Sequence, residues 1–99
     1  MNTKEKRKFE RIPNDDLPII FKNLLVDIGE HKNLNAETVD VSTTGIGVHL
    51  SLPSGILDRI DQVVLHSADN RYKFSGQIVN VMKLREDYYR LGVVLKDSQ

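Results

Sequence analysis

Hydrophobic and polar positions alternate with a period of two along most of this chain, and no long stretch repeats apolar residues at i, i+3, i+4 and i+7. The pattern predicts a mostly β protein with little helix. "LPIIFKNLLVDIG", Leu17 to Gly29, reads as a first strand; "EHKNLN" is a polar loop or hairpin tip, and "AETVDV" is a second strand ending at Val41. The corner "STTG" then reverses the chain. In "GIGVHL" the alternation puts Ile46, Val48 and Leu50 on one face and Gly47 and His49 on the other. Proline and glycine in "SLPSG" end that strand. "ILDRIDQVVLHS" can start as one helical turn and become a strand from Gln62 to Ser67, and "ADNR" is a turn. "YKFSGQIVNVMKL" is a long strand with Phe74, Gly76, Ile78 and Asn80 in one register, where Gly76 suggests a bulge or a barrel bend. The last strand, "YRLGVVLK", carries Leu91, Val93 and Leu95 on one face. Six such strands joined by short turns imply a closed or nearly closed antiparallel β-barrel, because closure removes exposed sheet edges.

Composition narrows the class. With 99 residues, 14 basic and 14 acidic side chains, the chain has room for one small domain and one core. The absence of cysteine removes disulfides and thiolate metal sites, and a reducing, cytoplasmic location is the expectation. No run approaches the roughly 20 apolar residues of a transmembrane helix, and the charged start "MNTKEKRKFERIP" is no secretory signal. Balanced charge argues against a partner such as long nucleic acid, which selects basic domains. Charge is nonetheless concentrated locally: Lys4, Lys6, Arg7, Lys8 and Arg11 face only Glu5 and Glu10 over one short segment, a patch suited to a small anionic ligand. We therefore expect a flexible basic N-terminal arm over residues 1–16 and a barrel over residues 17–99.

The usual catalytic arrangements are missing from the sequence. His31, His49 and His66 fall in separate elements without metal-ligand spacing and read as ordinary surface or edge residues. The acid pairs Asp15–Asp16 and Glu86–Asp87 fall in loops, where solvated turn carboxylates are the simplest reading. There is no GxSxG elbow, phosphate-binding GxxxxGK[ST] loop or cysteine nucleophile, so we expect no enzyme, no cofactor and no metal. Tyr88 and Tyr89 can offer a stacking face for bases, as in a small barrel that binds single-stranded nucleic acid. Two short segments stand out. In "DVSTTG", Asp40 or Ser42 can hydrogen-bond to backbone two residues on and Gly45 can supply positive φ, a plain turn; the same residues can also hold an anion. In "RKFER", Arg7 and Arg11 are four apart and can converge on one face of a turn or helical segment.

The ordered pair, RxxxR as "RKFER" followed by (D/N)xSxxG as "DVSTTG", resembles the PilZ domain, a bacterial receptor for cyclic di-GMP. The "SGQIVNV" and "YRLGVVL" strands are similar to the family's pattern, and the likeness runs from about Arg7 to Lys96. It implies a PilZ-like split barrel of six strands that binds cyclic di-GMP through Arg7, Arg11, Asp40, Ser42 and Gly45. Lys6, Lys8, Thr43, Thr44 and Asn80 are secondary candidates. The ligand's chemistry fits this set. Arginine forks match phosphate oxygens or guanine O6 and N7, Asp40 accepts from the guanine N1–H and N2–H edge, and Ser42 can donate to phosphate. Bends through Thr43, Thr44 and Gly45 can point backbone N–H groups at the anion. Some members carry an aromatic or arginine that packs on a guanine at the position held here by Asn80. By the same resemblance the arm folds over the barrel when ligand arrives, and a stand-alone adaptor without a fused output domain or a helix after the last strand passes the signal to a protein partner. The alternatives are a protein-interaction module of the same fold without nucleotide and the single-stranded nucleic-acid barrel.

Overall fold

The structure is a computed structural model that describes residues 10–53 and 55–96. Its elements in chain order are β1 (Ile12–Pro13), a 3-10 turn (Asn14–Asp16), α1 (Ile19–Lys22), β2 (Asn23–Ile28), β3 (His31–Val41), β4 (Gly45–Ser51), a second 3-10 turn (Ile56–Asp58), β5 (Gln62–His66), β6 (Lys73–Arg85) and β7 (Tyr88–Leu95). Strands pair in the order β3-β2-β5-β6-β7-β4, and β4 pairs back onto β3, so six antiparallel strands close a barrel. β1 is a short addition outside that ring, held against the end of β3 by Ile12↔Val41 and Pro13↔Asp40.

The inward faces are those the alternation predicts for β4 and β7. Ile46, Val48 and Leu50 from β4 and Leu91 and Val93 from β7 are buried, with Leu24, Val26 and Ile28 of β2, Val63 and Leu65 of β5, Ala36 of β3, Ile78 of β6, Tyr89 of β7 and the connecting residues Leu52 and Ile56 completing the core. Leu34, Leu57, Phe74 and Leu95 pack against it while staying partly exposed.

Four expectations are corrected. Residues 17–22 are not strand: Pro18 precedes a single helical turn, and β2 starts only at Asn23. Proline has no N–H to give a ladder, and polar side chains take over the turn's carbonyls, with Asn14 Nδ2 donating to Lys22 O at 3.1 Å and Thr38 Oγ1 to Phe21 O at 2.6 Å. All of the "EHKNLN" segment after Glu30 belongs to β3, and the turn between β2 and β3 is only Gly29–Glu30. The segment is polar because it is mostly exposed and because Asn33 adopts φ 55°, a conformation Asn tolerates, with its N–H donating to Asp27 Oδ1 at 2.8 Å. In β6 the register shifts between Ile78 and Asn80 and again between Lys83 and Arg85 instead of at Gly76, and the first shift takes Asn80 out of register with Ile78. Gly76 instead serves close packing: a Cβ there would meet Val93 Cγ1 and lie 2.8 Å from Val94 O. Finally, His66 is buried, with Nε2 3.5 Å from Asp27 Oδ1, instead of lying at the surface.

Candidate functional site

The corner between β3 and β4 is organised around one hydroxyl. Ser42 is buried, and its Oγ accepts from the Gly45 N–H at 3.1 Å and the Thr44 N–H at 3.3 Å, while its own N–H donates to Gly45 O at 2.8 Å. This is the serine turn expected from the residue spacing. It differs in two respects. The Thr44 and Gly45 N–H groups turn to Ser42 Oγ instead of pointing outward, because the buried hydroxyl oxygen and the buried Gly45 amide satisfy one another. Gly45 also has no positive φ; its missing Cβ matters because one would sit 2.8 Å from Val93 O of the neighbouring β7.

Arg11 reaches this corner from the strand next door. Because Ile12 pairs with Val41, the preceding residue lies beside Ser42, and the Arg11 guanidinium donates through Nη2 to Asp40 Oδ1 at 2.7 Å and through Nη1 to Ser42 Oγ at 3.4 Å. The Arg11 side chain is 45% exposed and that of Asp40 19%. A surface pair of this kind contributes about 0–1 kcal/mol to stability, so its main effect is to orient both groups.

Asp40 faces outward because β3 is interrupted. Thr38 pairs with Val48 and is buried inside the barrel; strict alternation would put Asp40 on the same side. The register shifts between Thr38 and Asp40, and Asp40 pairs with Gly47 on the outer face. β6 repeats the device. Ile78 pairs with inward Val93, the register shifts, and Asn80 pairs with outward Gly92. Each bulge adds one residue, Val39 or Val79, and so re-aims the following polar side chain. Since Gly47 also pairs with Gly92, the two bulges complete a row across four strands: Asp40, Gly47, Gly92, Asn80.

That row floors a cavity of about 520 Å³ on the outside of the barrel. Arg11 and Asp40 line one side of it and Asn80 the other, with Thr44 and Gly45 at the corner. Between them lie two positions without side chains, Gly47, buried beside Asp40 and Arg11, and Gly92, half-buried beside Asn80. A Cβ on Gly47 would lie 2.9 Å from Asp40 Oδ1, and one on Gly92 would lie 3.1 Å from Asn80 Cβ. The arrangement offers a floor without side chains, with a carboxylate acceptor at one end, an amide at the other and a guanidinium alongside.

Of the residues singled out by sequence, Arg11, Asp40, Thr44, Gly45 and Asn80 line this cavity, and Ser42 supports it from beneath. Thr43 lines a neighbouring cavity with Lys73 and Lys96. Lys6, Arg7 and Lys8 lie outside the described residues. Sequence reading missed Gly47, Gly92, Met82 and Arg90, which also line the cavity. The available signal was two glycines at outward positions of consecutive-facing strands, where no turn calls for them. Tyr88 and Tyr89 do not form one stacking face: Tyr89 is buried, whereas Tyr88 lies half-buried beside His49 with the Arg85 guanidinium 4.0 Å from its ring centre. Among the described residues no three metal-ligating side chains cluster, and no helix is long and apolar enough to cross a membrane.

A family model of the PilZ domain matches residues 5–99. The chain belongs to the PilZ domain family. PilZ domains are binding and adaptor modules, and as a family they are receptors for cyclic di-GMP. The match takes in both the RxxxR and DxSxxG segments of this PilZ domain. No curated protein matches the chain.

Proposed function

We propose that this PilZ domain binds cyclic di-GMP in the cavity above the Asp40–Asn80 row and passes the signal to a protein partner. One observation carries the reading: Arg11 and Asp40, 29 residues apart in sequence, meet at 2.7 Å on the wall of a cavity whose floor has glycines in place of side chains. Cyclic di-GMP presents phosphates that want cationic donors and guanines whose N1–H and N2–H edge wants an acceptor. The Arg11 fork and the Asp40 carboxylate supply those opposite partners side by side. Arg7, from the segment before Glu10, adds the second guanidinium, so ligand binding changes the contacts of that segment. Ordering it costs conformational entropy, which holds affinity below what the contacts alone would give.

Arg11→Ala should weaken cyclic di-GMP binding by about 1.5–3 kcal/mol, the scale of a lost hydrogen bond to a charged group. Calorimetric titration of the variant checks this; an affinity equal to wild type would remove Arg11 from the site. A second reading, a module that contacts protein without nucleotide, draws on the exposed apolar side chains Val79, Val81, Met82 and Leu84 of β6. A folded wild-type chain that gives no titration signal would favour it.

A further inference from the structure

We infer that Arg90, on the outward face of β7, is a ligand-contacting residue of this cavity, whose guanidinium holds a phosphate of a nucleotide that lays its base flat on the Gly47–Gly92 floor. The inference rests on the cyclic dinucleotide reading and adds to it a cation from the barrel wall, outside both sequence motifs.

The argument is positional. Gly92 has two outward neighbours along β7, Arg90 on one side and Val94 on the other, each about 7 Å away at the strand rise. Register carries this polarity across the sheet. On one side of the floor the row reads His49, Arg90, Met82; on the other, Gly45 lies opposite Val94. A planar ring on the floor has hydrogen-bonding ends available at Asp40 and Asn80 within its own row, so the ribose and phosphate leave the floor toward one of the flanking rows. The Val94 side carries Gln77 opposite Val94 and Arg11 at the corner, but the Gln77 amide donates to Asp61 and Arg11 is paired with Asp40, so that side offers no uncommitted cation. The Arg90 side offers a guanidinium, with the Met82 side chain beside it to line the cavity.

Charge supports the same direction. Arg11 lines the cavity too, but it is bound to Asp40 at 2.7 Å and is largely neutralised by it. Arg90 is exposed and has no ion pair or side-chain hydrogen bond among the described residues. It is therefore the cavity cation whose charge is not already matched by a carboxylate. Its long side chain can swing over the floor without breaking an ion pair or side-chain hydrogen bond among the described residues.

The test is titration of the full chain with cyclic di-GMP for wild type, Arg90→Ala, Arg90→Lys and Arg71→Ala, with folding of each confirmed by circular dichroism. Arg71 sits on the β5–β6 turn outside the cavity, so its variant changes net charge equally. Arg90→Ala should raise Kd roughly tenfold or more, as expected for a lost charge-assisted contact. Arg90→Lys, which keeps a positive charge, should recover most of the affinity, and Arg71→Ala should match wild type. Wild-type binding with an unchanged Kd in Arg90→Ala would overturn the role of Arg90 while leaving the ligand intact. Equal losses in Arg90→Ala and Arg71→Ala would overturn it as a general charge effect. A folded wild type that does not bind would overturn the dinucleotide reading and this inference with it.

Discussion

Gly47 ties the floor of the cavity to its charged wall. A methyl group there would lie 2.9 Å from Asp40 Oδ1 and 3.9 Å from Arg11 Nη2, so Gly47→Ala should push the carboxylate aside, disturb the pair and weaken cyclic di-GMP binding. The atoms it meets first belong to the side chain of a surface residue, so the fold should persist. Calorimetry beside a thermal melt checks both halves; retained affinity would show that the bare floor is not needed. A second residue-scale prediction concerns acid. The Asn33 N–H donating to Asp27, together with the nearby His66 ring, holds the Asp27 carboxyl below its ordinary value despite partial burial. The folded state thus favours ionised Asp27. That contribution is fully present above the ordinary carboxyl range near pH 4 and is lost as pH falls through the lowered folded-state value. Asp27→Asn should therefore flatten the fall in urea midpoint between pH 5 and pH 2 relative to wild type, and curves of identical shape would contradict it.

At the scale of elements, alternation told strands from turns but did not show where a strand skips a beat. β4, β5 and β7 were legible because their inward residues, such as Ile46, Val48, Leu50, Leu91 and Val93, repeat without interruption. β2 was misread at its start because Leu17–Phe21 looks strand-like residue by residue, and Pro18 and the side-chain bonds from Asn14 and Thr38 decide otherwise. The Val39 and Val79 bulges left no mark in the sequence, since an extra valine in a valine-rich strand changes no composition. Yet they determine the site, because without them Asp40 and Asn80 would point into the core. Outward placement makes Asn80 replaceable. Asn80→Trp should change unfolding free energy by no more than about 0.5 kcal/mol, as for an ordinary surface substitution, and should tighten cyclic di-GMP binding by adding a stacking face. Loss of folding in that variant would mean that residue 80 points inward after all.

For the whole molecule, a closed barrel supplies the wall that carries the candidate site, and in the proposed reading the basic N-terminal segment is the part that responds. The motifs were legible as motifs, since "RKFER" and "DVSTTG" are local strings. Their meeting was expected from the family resemblance alone, because physically it depends on β1 pairing with the far end of β3 and on closure bringing β6 and β7 beside β4. Function follows if that meeting place takes the dinucleotide. The most direct measurement is isothermal titration of the full chain with cyclic di-GMP, with GTP and cyclic di-AMP as controls and an Arg11→Ala, Asp40→Ala double variant alongside. Saturable heat with cyclic di-GMP alone, abolished in the folded double variant, is the predicted result. Absence of heat from folded wild-type protein at high ligand concentration, confirmed by a second binding method, would contradict the account and leave a PilZ barrel that works through protein contacts only.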